Sequence, residues 1–178
     1  MTRIGKIASC AVFVAFGIIL PIAFHFVGAM GSVFLPMHIP VMIAGLFLGP
    51  VAGLTVGVIA PLMSSVLTGM PPLMPVLPIM AVELAVYGAT GGYLYRKRRL
   101  PLVIALAAAM IAGRIAALIE VYLLANLLQL TLKPMVYMAG MAAGLPGIAI
   151  QLAVVPLLVK RLESSLRKDS NFNTRKVR

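Results

Sequence analysis

Three ionisable side chains stand inside long apolar runs of this chain: Glu83, Arg114 and Glu120. On insertion scales each costs about 2.5–3.5 kcal/mol at the centre of a bilayer, so each is expected to face an interior and to find a partner. One use of such a set is an ion pair that fixes two helices in register. That use leaves an acid over, because one arginine does not neutralise two carboxylates held apart. A second use is ligand binding: a guanidinium fork takes a carboxylate in two parallel hydrogen bonds, and the acids accept hydroxyl or amide donors. A third is proton carriage by Glu83 or Glu120. Tyr87 (one helical turn beyond Glu83), Asn126 and Gln151 add neutral hydrogen-bonding groups to the candidate set. His38 lies between Pro36 and Pro40 and is a further candidate for ligand contact.

Other chemistries lack their residues. No G-x-x-x-x-G-K-[ST] run is present to cradle phosphates, so the chain is not itself an ATPase. No H-E-x-x-H, cysteine pair or acidic cluster points to a metal, and no cofactor is implied. Ser64 and Ser65 lack the G-x-S-x-G elbow of a hydrolase, and nothing else marks an enzyme. The lone cysteine, Cys10, excludes an intramolecular disulfide.

The elements that must position these groups are membrane helices. Hydrophobic residues make up 62% of the 178, with mean hydropathy +1.08, far beyond what a soluble core of this size needs. The net charge of +11 does not indicate nucleic acid, because the bases gather at the chain ends and in the run Arg96-Lys97-Arg98-Arg99. From Ile39 to Val82, 44 residues carry no Asp, Glu, Lys, Arg or His, enough for two spans of roughly 20 residues. Pro36, Pro40, Pro50, Pro61, Pro71, Pro72, Pro75 and Pro78 break or border this run. Each removes a backbone donor, and in hydrocarbon the loosened groups must be satisfied by protein or by water in a cavity. A stretch so broken is expected to line something rather than face lipid all round.

Six helices are expected, over about 7–29, 38–48, 51–67, 76–95, 101–128 and 138–159. Gly49-Pro50 and the run Thr68 to Pro75 separate them in the first half. The first apolar stretch is longer than the roughly 7–15 residues of a signal-peptide core, so it is read as a span. Residues 1–168 form one all-α transmembrane domain and 169–178 a basic tail. Placing Arg3 and Lys6, the Arg96–Arg99 block and the Lys160–Arg178 tail in the cytoplasm leaves Lys133 alone outside. Both termini are then cytoplasmic. At ~1.5 Å per residue, Glu83 and Glu120 lie on the order of 10–15 Å from the external ends, and Arg114 and Gln151 roughly 20 Å. His38 is expected at the external mouth and His25 at the interface. Ser64 and Ser65 are expected to bond carbonyls loosened near Pro61. Gly53-x-x-x-Gly57 and Gly88-x-x-x-Gly92 suit internal helix packing, whereas Ala8, Ala11 and Ala15 form a small-residue face that can meet a partner helix.

A chain of this length with base-flanked helices, Ala11-x-x-x-Ala15 in the first, and the runs Leu35-Pro36-Met37-His38-Ile39-Pro40-Val41, Leu48-Gly49-Pro50, Ala60-Pro61-Leu62 and Thr68-Gly69-Met70-Pro71-Pro72 resembles the substrate-binding S component of an energy-coupling factor (ECF) vitamin transporter. The resemblance spans about Lys6 to Lys160. It implies a prokaryotic plasma-membrane subunit that binds a vitamin or precursor in an outward pocket formed by external loops and helices 4 to 6. It further implies docking through Ala11 and Ala15 to a membrane coupling protein driven by two cytoplasmic ATPases, and toppling in the bilayer during transport. Residues around Met37-His38 and Met70-Pro71-Pro72 would then cover the pocket. The Gly88-to-Leu94 run is somewhat like a glycine motif of biotin transporters, yet falls at the cytoplasmic end of its helix. The surroundings of His38 lack an Asp-rich pattern associated with riboflavin carriers. Arg114 orders the expected ligands as pantothenate, then biotin or niacin. Two other readings remain open: an ATPase-independent, proton-coupled secondary transporter, and a membrane assembly protein whose polar pairs are structural.

Overall fold

The computed structural model describes residues 2–25, 34–127, 140 and 144–176, with the side chains of 25 and 166–176 outside the description. Six helices of ten or more residues follow in order among these residues: α1 (Arg3–His25), α2 (His38–Leu48), α3 (Pro50–Thr68), α4 (Val76–Gly92), α5 (Leu102–Leu127) and α6 (Leu145–Lys176). A π-helical turn, Tyr93–Lys97, extends α4. No strand occurs among the described residues.

Five of these helices are long and apolar enough to cross a membrane: Arg3–Phe24, Pro50–Thr68, Val76–Lys97, Leu102–Leu127 and Leu145–Ser165. The expected set of six spans is therefore met by five. At 11 residues α2 is about 16 Å long, half of a hydrocarbon core of about 30 Å. Ten of its eleven residues are buried, and Val41, Ala44 and Leu46 are completely so. The apolar run of α2 thus serves the inside of the bundle, with α1, α3, α4 and α6 packed around it.

How α2 comes to start inside is visible in its neighbours. Phe34 packs against Phe24 near the end of α1, its ring tilted by 49° (centroids 5.7 Å apart). Met37 and Pro40 lie beside Gly17, well down α1. Buried Gln151 on α6 donates from Nε2 to the carbonyls of Leu35 (3.2 Å) and Phe34 (3.4 Å). Leu35 has φ +49, a left-handed conformation that non-glycine residues rarely adopt. At the other end Arg96 donates to the carbonyl of Phe47, closing the last turn of α2 against the end of α4.

Three helices meet at an unusually close crossing. A methyl group on Gly45 of α2, Gly53 of α3 or Gly88 of α4 would fall on the backbone of one of the other two, within 2.7 Å of Gly53 Cα in the case of Gly88. This is the small-residue packing expected of the two glycine pairs, with Gly45 as an added member. Helix α3 takes Pro50 in its first turn, where a missing N–H is harmless. It ends at Gly69 (φ +73), whose N–H bonds Ser65 O at 2.9 Å. Ser64 and Ser65 do bond carbonyls, but those of Met70 and Pro71 (2.7 Å each), not the ones near Pro61. They tie the following loop to the helix end.

Two ranges differ from the sequence reading. The start expected for the sixth helix, near 138, lies mostly outside the described residues, and α6 runs from Leu145. At its other end α6 continues to Lys176, past the fraying expected after 168.

Candidate functional site

Glu83 lies two turns into α4 and is 3% exposed. Arg114, on α5, places Nη1 at 2.9 Å from Glu83 Oε1. His38, the first residue of α2, has Nε2 at 3.7 Å from the same oxygen, and its ring meets that of Tyr87 edge-on (centroids 5.3 Å, 68°). Three helices thus deliver four of the predicted residues to one buried cluster: His38 from α2, Glu83 and Tyr87 from α4, Arg114 from α5. Gly113, which the sequence reading did not single out, stands at this contact. A methyl there would lie 3.0 Å from Glu83 O and 3.1 Å from the Tyr87 ring, so a side chain would push α4 and its tyrosine back by a few tenths of an ångström. Its only trace in the sequence is a glycine beside an intramembrane arginine within an alanine-rich helix.

The expectation that His38 sits at an external mouth is wrong. It is 2% exposed and begins a helix that starts inside the bundle. Met37, expected in a covering loop, is also 2% exposed and belongs to the core. The physical reason is the descent of 34–37, pinned by Gln151, before α2 begins. Gln151 accordingly touches the backbone leading to His38 and shapes the cluster from behind.

The other candidates are placed differently. Glu120 is half-buried on α5, six residues past Arg114, or roughly 9 Å along the axis. Its Oε2 is shielded from solvent and has no hydrogen-bond partner among the described residues. Asn126 is exposed and donates to the carbonyl of Tyr122 in its own helix (2.8 Å), away from the cluster. Ala8, Ala11 and Ala15 are all exposed on α1. That helix is the least covered of the spans, with 6% of its apolar window buried against 22–44% in the others, and Ile4, Ile7, Val12 and Phe16 share the exposed surface. Of the loop expected over a pocket, Met70 and Pro72 are exposed and Pro71 is buried.

The cluster is chemically unfinished at Arg114. Its side chain is only 16% exposed. Nη1 faces Glu83, while Nε and Nη2 are shielded from solvent and bond nothing among the described residues. A buried donor left unsatisfied costs about 1–3 kcal/mol, more when it is charged. Nε and one Nη form the edge of a guanidinium that grips a carboxylate in two parallel bonds. Glu83 balances the arginine charge, and what is left is directional hydrogen bonding toward an acceptor. Among the described residues no group of three or more His, Cys, Asp and Glu is placed to hold a metal.

The family comparison makes the assignment. The model of the substrate-specific component of ECF transporters matches residues 5–159. The chain belongs to that family and is a substrate-binding subunit of an ECF transporter. No curated protein and no solved structure matches it significantly.

Proposed function

We propose that the chain binds a small, carboxylate-bearing vitamin or vitamin precursor, with pantothenate favoured over biotin and niacin, and passes it to an ATP-driven import complex. The observation that carries this reading is the buried edge of Arg114, whose Nε and Nη2 lack an acceptor among the described residues while Nη1 is held by Glu83. In the proposed complex the substrate carboxylate completes that edge. His38 from α2 and Tyr87 from α4 flank Glu83, and Glu120 takes a hydroxyl or amide donor farther along α5. Asn126, turned outward, contributes at most to the rim. The basic ends face the cytoplasm and the site opens to the opposite side, in accord with the excess of Lys and Arg around residues 96–99 and 160–178. The membrane coupling protein meets the exposed alanines of α1, and two cytoplasmic ATPases act through it.

The deciding experiment is mass spectrometry of the small molecule released when protein purified from its membranes is denatured. A carboxylate-containing vitamin or precursor, present near one per chain, is the expected result. A released molecule with no anionic or acceptor group for Arg114, confirmed by rebinding, overturns the assignment of the site.

A further inference from the structure

The opposite end of the bundle carries a second polar site, far from Glu83 and Arg114. Tyr95, Arg96, Arg99, Leu100 and Glu163 line an open groove of about 370 Å³ between the end of α4 and the second half of α6. Its wall is ordered by specific bonds. The Tyr95 hydroxyl donates to Glu163 Oε2 at 3.0 Å, Arg96 Nη1 stands 3.7 Å from Glu163 Oε1, and Arg96 also reaches the Phe47 carbonyl. Arg98 is turned elsewhere, onto Tyr93, donating to its hydroxyl at 3.0 Å with the guanidinium over the ring.

Arg99 differs from these neighbours in two respects. No ion pair or hydrogen bond engages its side chain among the described residues. Its backbone is left-handed, φ +56, at the point where the chain leaves the π-helical turn and Leu100 N–H closes back on Leu94 O at 3.1 Å. Glycine is the usual occupant of that position after a helix, because a side chain there is strained. An arginine thus stands where glycine fits the backbone best, with its charge uncommitted beside the groove among the described residues.

The level of the groove identifies the occupant. It lies where the candidate spans Val76–Lys97 and Leu145–Ser165 both finish, and exposed apolar residues stand within two helical turns of its lining residues along the chain: Tyr93, Val103, Ile104 and Leu157. Headgroups of a surrounding bilayer occupy that level. Lys97, Lys160 and Arg161 stand near these lining residues in the chain and add positive charge. Basic pockets between helices at a membrane surface hold anionic headgroups through charge-assisted hydrogen bonds to phosphate oxygens. We propose that this groove binds the phosphate of an anionic phospholipid, gripped by Arg99 and by the fixed guanidinium of Arg96. Glu163 positions Arg96 and Tyr95 and does not itself meet the phosphate.

Native mass spectrometry of the purified full chain tests this, with phosphatidylglycerol or phosphatidylcholine of identical acyl chains titrated into the micelle. Wild type is expected to retain at least fivefold more phosphatidylglycerol than phosphatidylcholine. Arg99→Gly, which suits the backbone and removes the guanidinium, should abolish that preference, whereas Arg98→Gln should leave it within twofold. Equal retention of the two lipids by wild type, or an unchanged preference in Arg99→Gly, overturns the proposal. Inorganic phosphate and glycerol 3-phosphate form a second arm. If either at millimolar concentration displaces phosphatidylglycerol completely and stabilises the chain as well, the groove serves a soluble phosphate and the lipid assignment falls. It falls too if Arg99→Gly keeps lipid retention but loses assembly with the coupling protein and ATPases in detergent, which would mark a protein contact.

Discussion

At the scale of single residues, the site turns on how one guanidinium divides its donors. Nη1 of Arg114 holds Glu83, and the opposite edge is left for an acceptor. Replacing Arg114 by alanine removes the acceptor-binding edge and is expected to weaken substrate binding at least tenfold, measured by titration of purified protein, while the chain still inserts. Unchanged affinity would make Arg114 a register pair only. Arg114→Lys retains the charge but not the fork, and should fall well short of wild type in the same titration. Glu83→Gln acts differently. It leaves a buried arginine without its counter-charge, and removing one partner of a buried pair costs about 3–5 kcal/mol. The expected result is a large drop in thermal stability in detergent, partly recovered in the Glu83→Gln, Arg114→Met double variant. Failure of the second change to recover any stability would show that the two do not act as a pair.

At the scale of elements, α2 and its lead-in set the position of His38. Gln151 holds the carbonyls of Phe34 and Leu35 while Leu35 sits in a strained backbone conformation. Gln151→Leu therefore leaves two part-buried carbonyls without that donor, a loss of about 1 kcal/mol. It should also lower substrate affinity without touching the substrate, because the start of α2 relaxes. An effect on stability with affinity intact would confine Gln151 to the fold. The crossing of α2, α3 and α4 tolerates even less. Gly88→Ala sets a methyl group against the backbone of Gly53, and folded yield by size-exclusion chromatography should collapse. Much of this was legible beforehand. The glycine spacings announced a close crossing, the breakers Gly49-Pro50 and Thr68 to Pro75 fell between helices, and charge inside apolar runs led to Glu83 and Arg114. The depth of His38 was not legible, since it depends on a long-range bond from Gln151 to carbonyls more than a hundred residues away. Nor was Asn126, whose amide satisfies itself on its own helix. The shortness of α2 was visible, as only 11 residues separate His38 from the stop. Apolarity alone made it look like a span.

At the scale of the whole molecule, α1 stands apart from the other helices. It packs on α2 and α3 and leaves Ala8, Ala11 and Ala15 uncovered. Small side chains let another helix approach closely, so a leucine at Ala11 or Ala15 obstructs association while adding only apolar volume to an exposed face. Ala11→Leu and Ala15→Leu are expected to bind substrate as wild type does and to lose transport in cells. Parallel loss of binding would mean that these alanines pack the fold. Separating capture from uptake in this way assigns the two activities to different sides of the bundle.

The half-length of α2 also constrains how the chain is made. Eleven residues cannot stop in a bilayer as an independent segment, and the Gln151 donor that pins their lead-in at Phe34 and Leu35 is synthesised more than a hundred residues later. The stretch from Phe34 to Thr68 must therefore enter the membrane with α3 as its anchor, and settle only when residue 151 has left the ribosome. A nascent chain stopped before α6 lacks the donor that seats the buried cluster.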